Sequence, residues 1–135
     1  MNFLVAIENE NIKQYLTKII RNRNDSLLAF PNDPALFYCI IDKYKPDWII
    51  IDLNLKKINA FDLAEKIKMK FPGFNICMLS DVADERLIKK GKLIGADAFI
   101  SKENLFDFYN IIYSVPTKWK EDTIKGKLWK VYSLL

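Results

Sequence analysis

Apolar positions along this chain keep two alternating rhythms. Five short continuous runs, NFLVAI (2–7), SLLAF (26–30), DWIII (47–51), NICMLS (75–80) and AFIS (98–101), have the length and composition of β-strands. Between them the apolar residues recur every three or four positions, as at Ile12, Leu16, Ile19 and Ile20 in ENIKQYLTKIIRNR, which predicts a helix. The same rhythm predicts four more. One opens at Asn32-Asp33-Pro34 and runs to about Tyr44, with proline near its first turn. The others run from about Ala60 to Lys70, from roughly Ala83 to Leu93, and across ENLFDFYNIIYS (103–114). Asp81 and Asp84 are both candidate caps for the fourth helix, and Asp81 reads as a cap before it reads as anything functional. Phe71-Pro72-Gly73 reads as a turn, and Gly95 ends the fourth helix.

Strands alternating with helices predict crossover connections, hence a parallel sheet covered on both faces. The nearly unbroken apolar run before Asp52 fits a strand buried on both sides. In open sheets of this kind, chemistry collects just past the carboxyl ends of the strands. The residues there are Glu8-Asn9-Glu10, Asp52, Ser80-Asp81 and Ser101-Lys102.

Composition narrows the picture. A chain of 135 residues is one ordinary domain. No apolar run approaches the roughly 20 residues that span a membrane, and the first ten residues do not read as a signal peptide; a cytoplasmic location is expected. Cys39 and Cys77 both lie in apolar runs and are expected to be buried free thiols. The sequence contains no histidine, which removes the commonest general base and every Ser-His or Cys-His nucleophile. The net charge of +4 is mostly owed to the last 20 residues, which hold five Lys against two acids. A direct nucleic-acid role would therefore belong to that tail and is not expected of the domain.

The four strand ends form a chemical set. A carboxylate can act as a nucleophile toward phosphorus. The transfer needs positioning and positive charge around the phosphoryl oxygens more than covalent help. A lysine and a hydroxyl can supply some of it, and Mg²⁺, which takes carboxylate and carbonyl oxygens, can supply more.

Here FLVAIENENIKQYL, PDWIIIDLNLKKINAFDLAEKIK and FPGFNICMLSDVADERLIKKGKLIGADAFISKENL resemble the receiver domain of two-component response regulators over nearly all of residues 2–114. The resemblance implies a flavodoxin-like five-stranded sheet of order 2-1-3-4-5 with flanking helices. It also implies a non-enzymatic signalling switch that catalyses only its own phosphorylation. Asp52 would be the phosphoacceptor. Lys102 would pair with it, and Ser80 would contact the phosphoryl group and switch rotamer. Phe99 would be the aromatic switch residue. Mg²⁺ would be held by Glu8, Asn9, Asp52 and the backbone carbonyl of Asn54. The partners implied are a sensor histidine kinase and a downstream protein target, or a second copy, met through the fourth helix, fifth strand and fifth helix.

The sequence departs from the family pattern at several places. Asn9 stands where the second acid usually lies, which weakens the expected metal site; Glu10 is a possible contributor. Leu55-Lys56-Lys57 replaces Met-Pro-Gly, either adding positive charge near the acceptor or simply meeting solvent. Glu103 replaces the proline after the lysine, so a trans bond is expected there, and Lys-Glu at this point is closest to the subfamily that often carries a helix-turn-helix output domain. Ala60 replaces a glycine. These departures motivate a second reading, a pseudo-receiver acting as a phosphorylation-independent interaction or dimerisation module. Residues 1–115 form the expected domain. Residues 116–135 form a basic tail with an apolar stripe at Ile124, Leu128, Val131, Tyr132 and Leu135, read as a further helix or as a segment for a membrane surface or partner.

Overall fold

A computed structural model describes residues 1–29 and 36–115. The expected opening of the second helix at Asn32-Asp33-Pro34 and the expected tail helix lie outside the described residues. Five strands, β1 (Asn2–Ala6), β2 (Ser26–Ala29), β3 (Trp48–Asp52), β4 (Asn75–Ser80) and β5 (Ala98–Ser101), alternate with helices. The helices are α1 (Glu10–Asn22), α2 (Phe37–Tyr44), α3 (Ala60–Lys70), α4 (Glu85–Leu93) and α5 (Phe108–Ser114). All strand pairs are parallel, in the order β2-β1-β3-β4-β5. This is the doubly wound arrangement expected from the alternation.

Alternate side chains of the strands feed two cores. Phe3, Val5, Ile50, Leu79 and Ile100 face Leu16 and Ile20 of α1 and Phe108 and Ile112 of α5. Leu4, Ile49, Ile51, Met78 and Phe99 face Ile41 of α2, Ala64 and Ile67 of α3 and Ile88 of α4. Each fully buried Ile or Leu contributes about 1.5–3 kcal/mol relative to exposure. β3 sits at the centre of the sheet and every one of its residues is buried, Asp52 included.

Local chemistry sets the ends of the helices. Asn9, Asn59 and Asp84 each accept a backbone N–H from the first turn of α1, α3 and α4, a cap worth about 1 kcal/mol. Gly95 closes α4 at φ +97°, a left-handed backbone that favours glycine. The segment Lys102–Asp107 forms a 3-10 helix before α5 begins, where one continuous α-helix was expected. Leu105 and Phe108 are both buried and lie three residues apart, and three residues per turn aligns them on the core. Among the described residues no peptide bond is cis, so Lys102-Glu103 is trans as expected.

Cys77 is buried, and burial pushes its thiol well above the ordinary range. Cys39 is exposed, contrary to expectation. The buried residues of α2 are Phe37 and Ile41, one turn apart, and Cys39 falls on the opposite side.

Below the site, Asp97 ties β4 to β5. Its N–H donates to the Ile76 carbonyl at 2.7 Å, and its Oδ2 accepts the Ile76 N–H at 2.8 Å. The same Oδ2 pairs with Lys68 Nζ at 2.7 Å, and Lys68 also donates to the Phe74 carbonyl at 2.6 Å.

Candidate functional site

The carboxyl ends of β3, β4 and β5 bring Asp52, Ser80 and Lys102 to one edge of the sheet. Asp52 is only 1% exposed. Leaving a carboxylate there unpaired would cost several kcal/mol, and both of its oxygens are held. Oδ1 accepts the Asn54 N–H at 3.0 Å, and Oδ2 pairs with Lys102 Nζ at 2.9 Å. The first contact is a tight local turn past the end of β3. The second is fixed by the 3-10 segment, whose first residue is Lys102.

Lys102 has a second partner. Its Nζ lies 3.0 Å from Asp81 Oδ1, and Asp81 Oδ2 accepts the Asn54 side-chain N–H at 2.5 Å. Burial alone would pull the Lys102 ammonium down, but its hydrogen bonds to Asp52 and Asp81 outweigh this and raise it. Asp81 is held below the usual carboxylate range, first by Asn54 and then by Lys102. Asp81 is therefore no helix cap. Asp84 takes that role, accepting the Arg86 N–H at 2.8 Å, because it stands immediately before the first helical residue.

Ser80 is buried at the end of β4, and its Oγ accepts the Val82 N–H at 3.3 Å. It faces Ser101 across the β4–β5 register. The Ser101 hydroxyl is buried with no hydrogen-bond partner, a polar atom at the sheet's working edge. Phe99 is buried between the sheet and α4, its ring against Gly91.

The β1 end is arranged differently. Asn9 spends its side-chain oxygen on the Ile12 N–H at 3.1 Å. Glu8 is exposed, and both of its oxygens lie 3.2 Å from the Lys56 N–H, which fastens the loop after β3 to the end of β1. Glu10 pairs with Lys13 at 3.0 Å. Glu8, Glu10, Lys13, Lys56 and Lys57 line a cleft of about 330 Å³ whose lining does not include Asp52. Among the described residues no group of three or more His, Cys, Asp or Glu converges to hold a metal ion. Of the four ligands expected for Mg²⁺, Asp52 and Asn54 are joined by a hydrogen bond, whereas the side chains of Asn9 and Glu8 are engaged by the first turn of α1 and by Lys56. As arranged, the donor set does not fit the ion, because Asn9 would have to abandon its cap and Glu8 its loop contact.

Two functional candidates escaped the sequence reading: Asp81 as a partner of Lys102, and the Asn54 side chain that holds it. The only signal was their position beside Ser80 and Asp52.

A family model described as the response regulator receiver domain matches residues 3–112. The transcriptional regulatory protein DegU of Brevibacillus brevis is 28% identical over 64 residues, which cover 47% of this chain and 27% of DegU. A protein-glutamate methylesterase/protein-glutamine glutaminase of Enterobacter cloacae is 26% identical over 97 residues, covering 70% of this chain and 27% of that protein. The chain thus spans about a quarter of the length of these relatives. Among solved structures, a LuxR-family two-component response regulator from Aurantimonas sp. SI85-9A1 superposes with a TM-score of 0.73. It is 16% identical, with 84% of this chain and 83% of that one covered, and shares the fold.

Proposed function

We propose a phosphorylation-controlled switch for this chain, which belongs to the response regulator receiver family, with Asp52 as the acceptor. The observation that carries the reading is the buried Asp52 carboxylate held between the Asn54 N–H and Lys102. A carboxylate oxygen of Asp52 attacks the phosphorus of a phosphohistidine on a sensor kinase. A P–O bond forms as the P–N bond breaks, and the departing electron pair stays on the imidazole nitrogen, which takes a proton from water. The product is an aspartyl phosphate. Lys102, already beside the acceptor, stays within reach of the developing phosphoryl charge. Mg²⁺ supplies charge neutralisation in such transfers, but the side chains of Glu8 and Asn9 are engaged by Lys56 and by the α1 cap.

The new group carries roughly −1.5 to −2 charges. Ser80, at the neighbouring strand end, and Lys102 turn toward it, and Phe99 repacks beneath α4. The face of α4, β5 and α5 then changes for a downstream protein or a second copy. Leu93 of α4 and Tyr113 of α5, with Phe106 of the 3-10 segment between β5 and α5, are exposed and offer apolar contacts.

A second reading, an interaction module independent of phosphorylation, is favoured by the commitment of Asn9 to the α1 cap. Intact mass after incubation with acetyl phosphate and Mg²⁺ separates the two. Wild type should gain one phosphoryl group and Asp52→Ala none; an unmodified wild type leaves the module reading standing.

A further inference from the structure

Asp81 does something that the switch, as proposed, does not require. Its two oxygens hold Lys102 and the side chain of Asn54, and these same two residues hold the two oxygens of Asp52. The four residues close a ring across the acceptor. Asp52 is its buried member; the Asp81 side chain, 63% exposed, is its outermost. Two carboxylates thus share one ammonium group. An arriving phosphoryl group has the same sign of charge as Asp81 and needs the same lysine.

We propose that Asp81 is a positioning residue that restrains phosphorylation, holding Lys102 and Asn54 across the unmodified acceptor until it is displaced. The inference rests on Asp52 being the acceptor. Asp81 acts through Lys102 and Asn54 and does not touch Asp52 in the ring described. The opposite role, a carboxylate that helps bring a cation to the site, is disfavoured because both Asp81 oxygens are already engaged, one by an ammonium and one by an amide.

The test compares initial rates of phosphoryl uptake from acetyl phosphate, read by intact mass, in wild type, Asp81→Asn, Asp81→Glu and Asp52→Ala. Asn keeps the shape of Asp and removes the charge. Uptake by Asp81→Asn should be about fivefold faster than wild type, the size of one exposed ion pair. Asp81→Glu should restore the slow rate, and the gap should shrink as salt screens the exposed charge. Equal rates in wild type and Asp81→Asn overturn the restraint and leave the acceptor reading intact. A slower Asp81→Asn overturns it in favour of the helping role, and an Asp81→Glu as fast as Asp81→Asn overturns it because charge is then irrelevant. No uptake in wild type or either Asp81 variant removes the acceptor and the restraint together.

Discussion

Four acids carry most of this molecule's particular chemistry, Asp52, Asp97 and Asp25 buried or half-buried and Asp81 exposed, and each is bound differently. Asp52 was legible in the sequence because a carboxylate ending an unbroken apolar run has to be paired, and Lys102 is there. Asp81 was not legible: an acid just before a helix reads as a cap, and only the fold shows that Asp84 takes the cap and leaves Asp81 to Lys102. Asp97 joins β4, β5 and Lys68 in one buried cluster, so Asp97→Ala strands the Lys68 ammonium and frees the Ile76 N–H. We expect it to lower stability by about 3 kcal/mol in denaturant unfolding. Asp25 accepts the Tyr109 hydroxyl at 2.6 Å and the amino-terminal ammonium at 2.5 Å; the ammonium first, then Tyr109, holds its carboxyl below the usual range. Stability from a lowered carboxyl is present above its unfolded-state value and disappears as pH falls through the folded one. Tyr109→Phe should therefore cost about 1.5 kcal/mol near neutrality, the size of a hydrogen bond to a charged group. The gap from wild type should narrow in acid, as unfolding curves across pH would show.

At the scale of elements, the helices differ in what fixes them. α3 ran from Ala60 to Lys70 as its periodicity indicated, since Asn59 caps it and its apolar face is regular. The segment after β5 departs from the expectation, with Lys102–Asp107 a 3-10 helix, although the buried Leu105, Phe108, Tyr109 and Ile112 keep a spacing that one α-helix would also serve. α4 is marked by a glycine inside it. A Cβ added at Gly91 would meet the Phe99 ring at 3.4 Å, an ordinary contact with a side chain. Gly91→Ala should then stabilise the chain by about 0.5–1 kcal/mol, through reduced freedom of the unfolded chain and better helix propensity. A raised melting temperature would bear this out; a lowered one would mean that the ring has no room to give. Gly95 is different, because its φ of +97° makes any side chain there strained.

Across the whole molecule, the alternation of apolar runs with helical patterns was enough to order the sheet, because parallel strands need helical crossovers and those follow few topologies. It was also enough to place Asp52, Ser80 and Lys102 at one edge. It could not show that Asn9 caps α1 or that Glu8 turns to Lys56, since both depend on how the loops close in three dimensions. The result is a site well supplied at the β3, β4 and β5 ends and differently used at the β1 end. Such a site is proposed to take a phosphoryl group on Asp52. The most direct measurement is reductive trapping with borohydride after treatment with acetyl phosphate, followed by peptide mass mapping, because an acyl phosphate is reduced to the alcohol at its own residue. Homoserine is expected at position 52 and nowhere else. Trapping at another carboxylate, or unmodified Asp52 in a fully treated sample, would contradict it.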